Sequence, residues 1–384
     1  MSMSKYRSAL LAGVAAFAIA APASALTINL IDIGGVTGSQ AEVGFKVAAA
    51  YWGKVLSNTA TVNLNVGYSD LGPGVLGATG SNLATFVPIA DYYDALAATQ
   101  TSAIDAMAVA NLQALNGTGN LTNLVVPGYT SPGLGIDVSG SRIAPTGPDD
   151  AISNSMALTT ANLRAFGVDL GGTIDGEVQF SNTFAFDFNP DDGIAAGTYD
   201  FIGVAIHEIG HALGFISGVD DFDYFDGYDG PVDDAWWAYS LDMFRYSAPG
   251  QLDLTPDTAS YFSLDGGLTA FMDGYFSTGA FNGDGNQASH WKQPNQATPC
   301  INFRGIMNPY ICSGRGDSVT GLDLALFDAI GWNLTVDPTN YSKSTKAIYH
   351  DILGIPEPAT WMTLLLGFGL LGGVMRRRRG LTIA

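Results

Sequence analysis

The sequence predicts an α+β fold: a sheet with helices packed against it, followed by one long apolar helix that organises the rest. Three observations point there. Short runs with strand alternation and longer runs with helical spacing succeed one another between residues 26 and 188. The stretch Tyr199 to Phe215, YDFIGVAIHEIGHALGF, keeps a helical apolar period throughout. Forty-eight glycines spread over 384 residues imply long loops and short strands elsewhere.

In chain order, Met1 to Ala25 reads as a secretory signal peptide. Lys5 and Arg7 give a charged start, Ala9 to Ala21 the apolar run, and Ala23-Ser24-Ala25 the cleavage site. The apolar run is too short to span a bilayer, so the mature chain is expected to begin near Leu26, outside the cytoplasm. Leu26 to Ile33 is a strand, rich in β-branched residues and alternating. Gln40 to Leu56 places Val43, Val47, Ala50, Tyr51 and Val55 at helical spacing, and Thr61 to Val66 is a second strand. Asp91 to Leu96 and Ala103 to Leu115 read as helices, Asn116 to Asn120 as a loop, and Ala161 to Phe166 as a short helix. Glu177 to Phe180 and Phe184 to Phe188 are strands leading into the long helix.

Within that helix, Ile202, Ile206, Ile209 and Leu213 form the buried face. His207 and His211, four apart, lie one above the other and can present two imidazoles to one metal ion. Glu208 sits about 100° round from His207, within reach of a water on that metal. Gly214 supplies the stop, since it takes up the left-handed conformation without steric cost. The chain has only four histidines and four glutamates against thirty-two aspartates, so a chance His-Glu-x-x-His is rare.

Beyond the helix, Asp220, Asp221, Asp223, Asp226, Asp229, Asp233 and Asp234 crowd one segment. Oxygen-rich loops of this kind can hold Ca²⁺, but the spacing matches no EF-hand, and a solvated acidic loop is the simpler account. Cys300 and Cys312 are the only cysteines; in an exported chain they are expected to pair, closing a loop around Met307. Asp317 to Trp332 suits a helix starting near Thr320, with Leu322, Leu324, Ala325, Leu326, Phe327 and Ile330 turned inward. Residues 333 to 355 read as a polar spacer containing His350.

A catalytic zinc site usually has three protein ligands and one open position. His207, Glu208, His211 and Gly214 fit the HExxHxxG of the metzincins, but the next position of that pattern holds Ser217 instead of a ligand. Asp220 or Asp221 is a fallback. His290, in a His290-Trp291 context and followed by Met307-Asn308-Pro309, resembles the leishmanolysin-like branch, in which a long insertion precedes the third histidine and a Met-turn. That resemblance implies a metzincin-like fold: an N-terminal twisted sheet with packed helices and the active-site helix, then an irregular C-terminal lobe with a Met-turn and a C-terminal helix. It implies Zn²⁺ on His207, His211 and His290, with Met307 beneath the metal. It also implies an endopeptidase, in which the metal acidifies a water and Glu208 serves as general base. Tyr310 could add a hydrogen bond, although a packed or exposed tyrosine explains it as well.

The far end carries Pro356-Glu357-Pro358, then an apolar run from Trp361 to Met375, then Arg376 to Arg379. This tripartite tail resembles the PEP-CTERM sorting signal. It implies recognition by an exosortase and delivery to the cell surface, outer membrane or extracellular matrix of a Gram-negative bacterium. Fifteen helical residues reach roughly 23 Å, short of a ~30 Å hydrocarbon core.

The expected organisation is therefore a signal peptide (1–25), a catalytic body (26–335, its N-terminal lobe running to about 216), a linker (336–355) and a sorting tail with a short membrane segment (356–384). Without the two terminal segments the sixteen basic residues fall to ten and the thirty-six acidic ones to thirty-five, a charge of about −25. Such a surface disfavours nucleic acid and anionic membranes as partners. A protein or peptide substrate is the expected partner of the body. The competing reading is a surface or matrix adhesin that uses the metal only for structure.

Overall fold

A computed structural model describes residues 26–131, 134–144, 151–225, 237–294, 300 and 303–355. Residues 1–25, expected to be a signal peptide, residues 356–384, and Asp226, Asp229, Asp233 and Asp234 lie outside the described residues.

In chain order, β1 (Thr27–Gly34), α1 (Gln40–Val55) and β2 (Thr61–Ser69) open the fold. They are followed by β3 (Gly77–Ser81), β4 (Leu83–Pro88), α2 (Ile89–Thr99), α3 (Ala103–Ala110), β5 (Leu124–Ser131) and β6 (Leu134–Ile143). Next come α4 (Ala151–Asn154), β7 (Ser155–Thr159), α5 (Thr160–Ala165), β8 (Gly176–Ser181), β9 (Phe186–Asp187) and β10 (Tyr199–Asp200). The central helix is α6 (Phe201–Ala212), and α7 (Val219–Tyr224) follows it. The remainder comprises β11 (Arg245–Ala248), β12 (Gln251–Asp253), β13 (Ser260–Phe262), β14 (Tyr275–Phe276), β15 (Ser318–Thr320), α8 (Gly321–Ala329), β16 (Ser342–Ser344) and α9 (Thr345–Leu353).

The first sheet has the order β1-β2-β8-β3. β1, β2 and β8 run parallel, and β3 is antiparallel to β8 at the edge. α1 is the crossover between β1 and β2, as parallel pairing requires. It buries Ala41, Phe45, Ala48 and Trp52 at helical spacing. The Trp52 indole donates to the Ile206 carbonyl at 3.1 Å, and Phe45 meets Phe201 edge-on at 5.1 Å. A side chain on Gly44 would place its Cβ 2.3 Å from the Phe201 ring, so only glycine lets α1 lie this close to α6. Helix α6 is thereby held between α1 and β3, and one hydrophobic core runs from Leu26 to Ile348.

The helix and strand expectations up to residue 200 meet α1, α2, α3, α5, β1, β2, β8 and β9, with two adjustments: α3 ends at Ala110, and β9 covers only Phe186–Asp187. Two larger corrections concern the second half. The segment after residue 216 is less irregular than expected: β11 to β14 join β5 and β6 in a mixed six-stranded sheet of order β14-β13-β11-β12-β5-β6. Residues 336–355 are not a linker. They carry β16, paired with β15, and α9, which packs on α1. Ser344 caps α9 by accepting from Ala347, Ile348 is fully buried, and Lys54 reaches Asp351 at 2.7 Å.

Candidate metal centre

Asp200 starts α6. Its carboxylate accepts from the Gly203 amide at 3.1 Å, satisfying one of the free donors of the first turn. The whole helix is buried, including His207, Glu208 and His211. It ends at Ala212, and Gly214 turns the chain with φ of 116°. A Cβ there would also fall 2.3 Å from the Asn162 side-chain oxygen, so the position needs glycine twice over.

The chain that leaves at Gly214 returns with His290. The Nε2 atoms of His207, His211 and His290 form a triangle with sides of 3.1, 3.2 and 3.3 Å. Each ring turns its other nitrogen to a backbone carbonyl: His207 Nδ1 to Ile306 at 2.7 Å, His211 Nδ1 to Phe215 at 2.7 Å, His290 Nδ1 to Gln287 at 3.2 Å. A carbonyl only accepts, so Nδ1 carries the proton in all three and the Nε2 lone pairs are bare. Burial pushes the imidazoles towards the neutral form: His207 falls to about 4, His211 to about 3, and His290 well below its ordinary value.

Three bare lone pairs facing one another repel unless a cation lies among them. A tetrahedral ion with bonds of about 2.0–2.1 Å to nitrogen needs an edge of about 3.3–3.4 Å, close to these separations. The all-nitrogen set suits zinc and its transition-metal neighbours and not calcium, which takes oxygen. Among the described residues no other group of His, Cys, Asp or Glu converges in this way.

Glu208 packs against the edge strand. The Thr79 hydroxyl lies 2.8 Å from Glu208 Oε2 and 2.9 Å from the Glu208 backbone carbonyl oxygen. A Cβ on Gly77 would come within 2.7 Å of Oε1. Burial raises the Glu208 carboxyl to about 7. The three histidines and Glu208 line a cavity of about 740 Å³, bordered by the β3 backbone and by Phe184, Phe281 and Ile311.

Met307 lies beneath the helix, fully buried, where a Cβ on Gly210 would come within 2.7 Å of its sulfur. Cys300 and Cys312 form a disulfide that brackets it. Tyr310 lines the cavity and is partly exposed. His350 is on α9, bound to Asp191 at 2.6 Å and away from the cluster. The fallback ligands are spent elsewhere. Asp220 accepts from the Ala288 and Ser289 amides, and Asp221 from the Tyr239 hydroxyl at 2.8 Å. Asp223 likewise accepts from the Phe281 and Asn282 amides. Asp220 and Asp223 thus tie down backbone amides, and Asp221 a tyrosine hydroxyl.

Three supporting residues were not legible in the sequence. Thr79 has no local signal, because only the packing of β3 on α6 brings it to Glu208. Asp323 shows a Thr320-x-x-Asp323 capping pattern. The structure adds three further donors to its carboxylate: the Trp291 indole at 2.8 Å, and the Ile306 and Met307 amides at 2.9 and 3.2 Å. Asp220 reads in the sequence as part of a charge run and as a fallback ligand, not as a residue that binds the Ala288 and Ser289 amides.

Beyond the folded body, one comparison with known proteins decides a point. Residues 354–379 match the PEP-CTERM protein-sorting motif. The chain thus carries a signal recognised by exosortase and is an exported protein sorted to the cell envelope. No curated protein and no solved structure matches the chain. Among the described residues no helix is long and apolar enough to cross a membrane.

Proposed function

We propose that the chain is an exported zinc-dependent endopeptidase, a metzincin-like enzyme of the leishmanolysin-like branch. The observation that carries this reading is the triangle of three bare Nε2 atoms at 3.1–3.3 Å, in the same cavity as a buried glutamate. His207, His211 and His290 would hold the metal, which when bound supplies Lewis acidity, acidifying a water and polarising a peptide carbonyl. The carbonyls of Ile306, Phe215 and Gln287 keep each imidazole in the ligating tautomer.

Glu208 is the proton carrier. Thr79 engages Oε2 and leaves Oε1 to take the proton of the attacking water and pass it to the leaving amine. β3 is the edge strand of its sheet and borders the cavity, so an extended peptide can align along it by main-chain hydrogen bonds. Phe184, Phe281 and Ile311 give the cavity apolar walls against which substrate side chains can pack.

Glu208→Gln keeps the shape and removes the base. Peptide-library hydrolysis should fall by a factor of about 10²–10⁴, while zinc content stays at one ion per chain. Normal turnover by that variant would remove Glu208 from the mechanism. Absence of chelator-sensitive cleavage by the zinc-loaded parent would remove the enzyme reading altogether.

A further inference from the structure

His290 reaches the triangle from 79 residues beyond His211, and its own ring bond does not tie it to the helix. His207 is fixed across the fold to Ile306, whereas His290 Nδ1 meets only Gln287, three residues back in the same segment. The link to the helix end is made one residue earlier, at Ser289. The Ser217 amide donates to Ser289 Oγ at 2.9 Å, and Ser289 Oγ donates to the Asp220 carboxylate. The same carboxylate accepts from the Ala288 and Ser289 amides at 2.5 and 3.0 Å. Ser217 is held in turn: its hydroxyl donates to Asp242 at 2.6 Å, and Asp242 also accepts from the Gly218 amide at 2.8 Å. Every donor in this chain of bonds has a partner, and it crosses from the turn after α6 to the residue beside the third imidazole.

We propose that Ser217, Asp220 and Ser289 form a clasp of positioning residues that sets His290 against the two helix histidines. The proposal rests on the reading that the three imidazoles take a metal. Ser217 occupies the position where the short-spaced pattern would place a third ligand. Here that position supplies a backbone donor that receives the neighbour of a distant one. Trp291, anchored by Asp323 and by the Met307 carbonyl, fixes the other side of the segment. The clasp on one side and Trp291 on the other hold the short segment that carries the third ring.

The test uses the full chain, stripped of metal, as parent, Ser289→Ala and Asp220→Asn. Zinc affinity is measured by competition with a chromogenic chelator, the visible spectrum is recorded with Co²⁺, and thermal unfolding is followed without metal. The expected result is a zinc affinity ~10–100-fold weaker in both variants and an altered Co²⁺ spectrum, together with a metal-free unfolding temperature lowered by the buried Ser217 amide that Ser289→Ala leaves unpaired. Parent-like affinity and spectrum overturn the proposal. So does a lowered unfolding temperature with unchanged spectrum, which marks a merely structural role. If Ser289→Ala does not fold, Asp220→Asn decides by the same criteria. A parent that binds no zinc overturns the metal reading itself, and is told apart from the other outcomes by that measurement alone.

Discussion

A hydrogen atom is all that Gly77 can place beside Glu208. A methyl group there would come within 2.7 Å of Oε1 and 2.9 Å of Cγ, so Gly77→Ala must move either the carboxylate or the edge strand. Peptide hydrolysis by this variant should drop ~10-fold or more, since small displacements of a positioned group are costly, with zinc affinity little changed; retained activity would show that the strand yields instead. At this scale His207 and His211 were readable in advance, because four-residue spacing on a helix fixes their common face, and Glu208 because it lies one step of about 100° round from it. His290 and Met307 were readable only through a family resemblance, and the structure brings both to the helix. Thr79 and Ser289 carried no signal, since each acts across a tertiary contact that no local period encodes, and Asp220 stood out only as an acidic-run residue and fallback ligand, a different role from the one it has.

The helix α8 does more than close the core. Asp323 on its first turn receives the Trp291 indole, the Ile306 and Met307 amides and its own cap residue Thr320, binding the His290 segment to the loop around Met307. Asp323→Ala leaves those donors buried and unpaired. At about 1–3 kcal/mol for each unsatisfied group, the expected loss is about 3 kcal/mol or more in urea unfolding of the metal-free protein; a loss below ~1 kcal/mol would mean that water replaces the carboxylate. Among elements, α1, α6 and α8 were legible from strong apolar periods. β3 was not, because Gly-Ala-Thr-Gly-Ser has no apolar alternation and becomes a strand only by pairing with β8. β11 to β14 are two to four residues long, too short for a period to show. α9 escaped because its inward face mixes Ile348 with Thr345 and His350, a stripe that reads as polar.

Taken whole, the body is an acidic globule that nevertheless buries several of its carboxyl groups. Burial raises Asp317 to about 8, with Asp200 and Asp323 adding repulsion against a weaker pull from Arg315; burial also raises Asp328 to about 7. A carboxyl whose folded pKa exceeds its unfolded value holds its proton better in the native state. Its contribution to stability is complete below about pH 4 and is lost as pH rises through 7 and 8. Asp32 acts in the opposite sense: its carboxylate, bound by the Thr37, Gly34 and Val36 amides, is lowered to about 2, and what it contributes is lost as pH falls from about 4 through 2. Metal-free protein should therefore lose roughly 4 kcal/mol as pH rises from about 6 to 9. It should lose stability in acid as well, because the three buried neutral imidazoles take up protons on unfolding below about pH 6.5. Asp317→Asn should flatten the slope on the alkaline side. Urea unfolding at several pH values measures it, and an unchanged slope in the variant would assign the loss to other groups.

The last helix also has a bearing on export. α9 stops at Leu353, Gly354 takes the left-handed turn that ends it, and the sorting motif begins at that same glycine. From Gly354 to Pro356 an extended chain covers only ~7 Å. The folded body thus reaches to the first residue of the sorting motif, with Lys54 and Asp351 pinning the helix that leads into it.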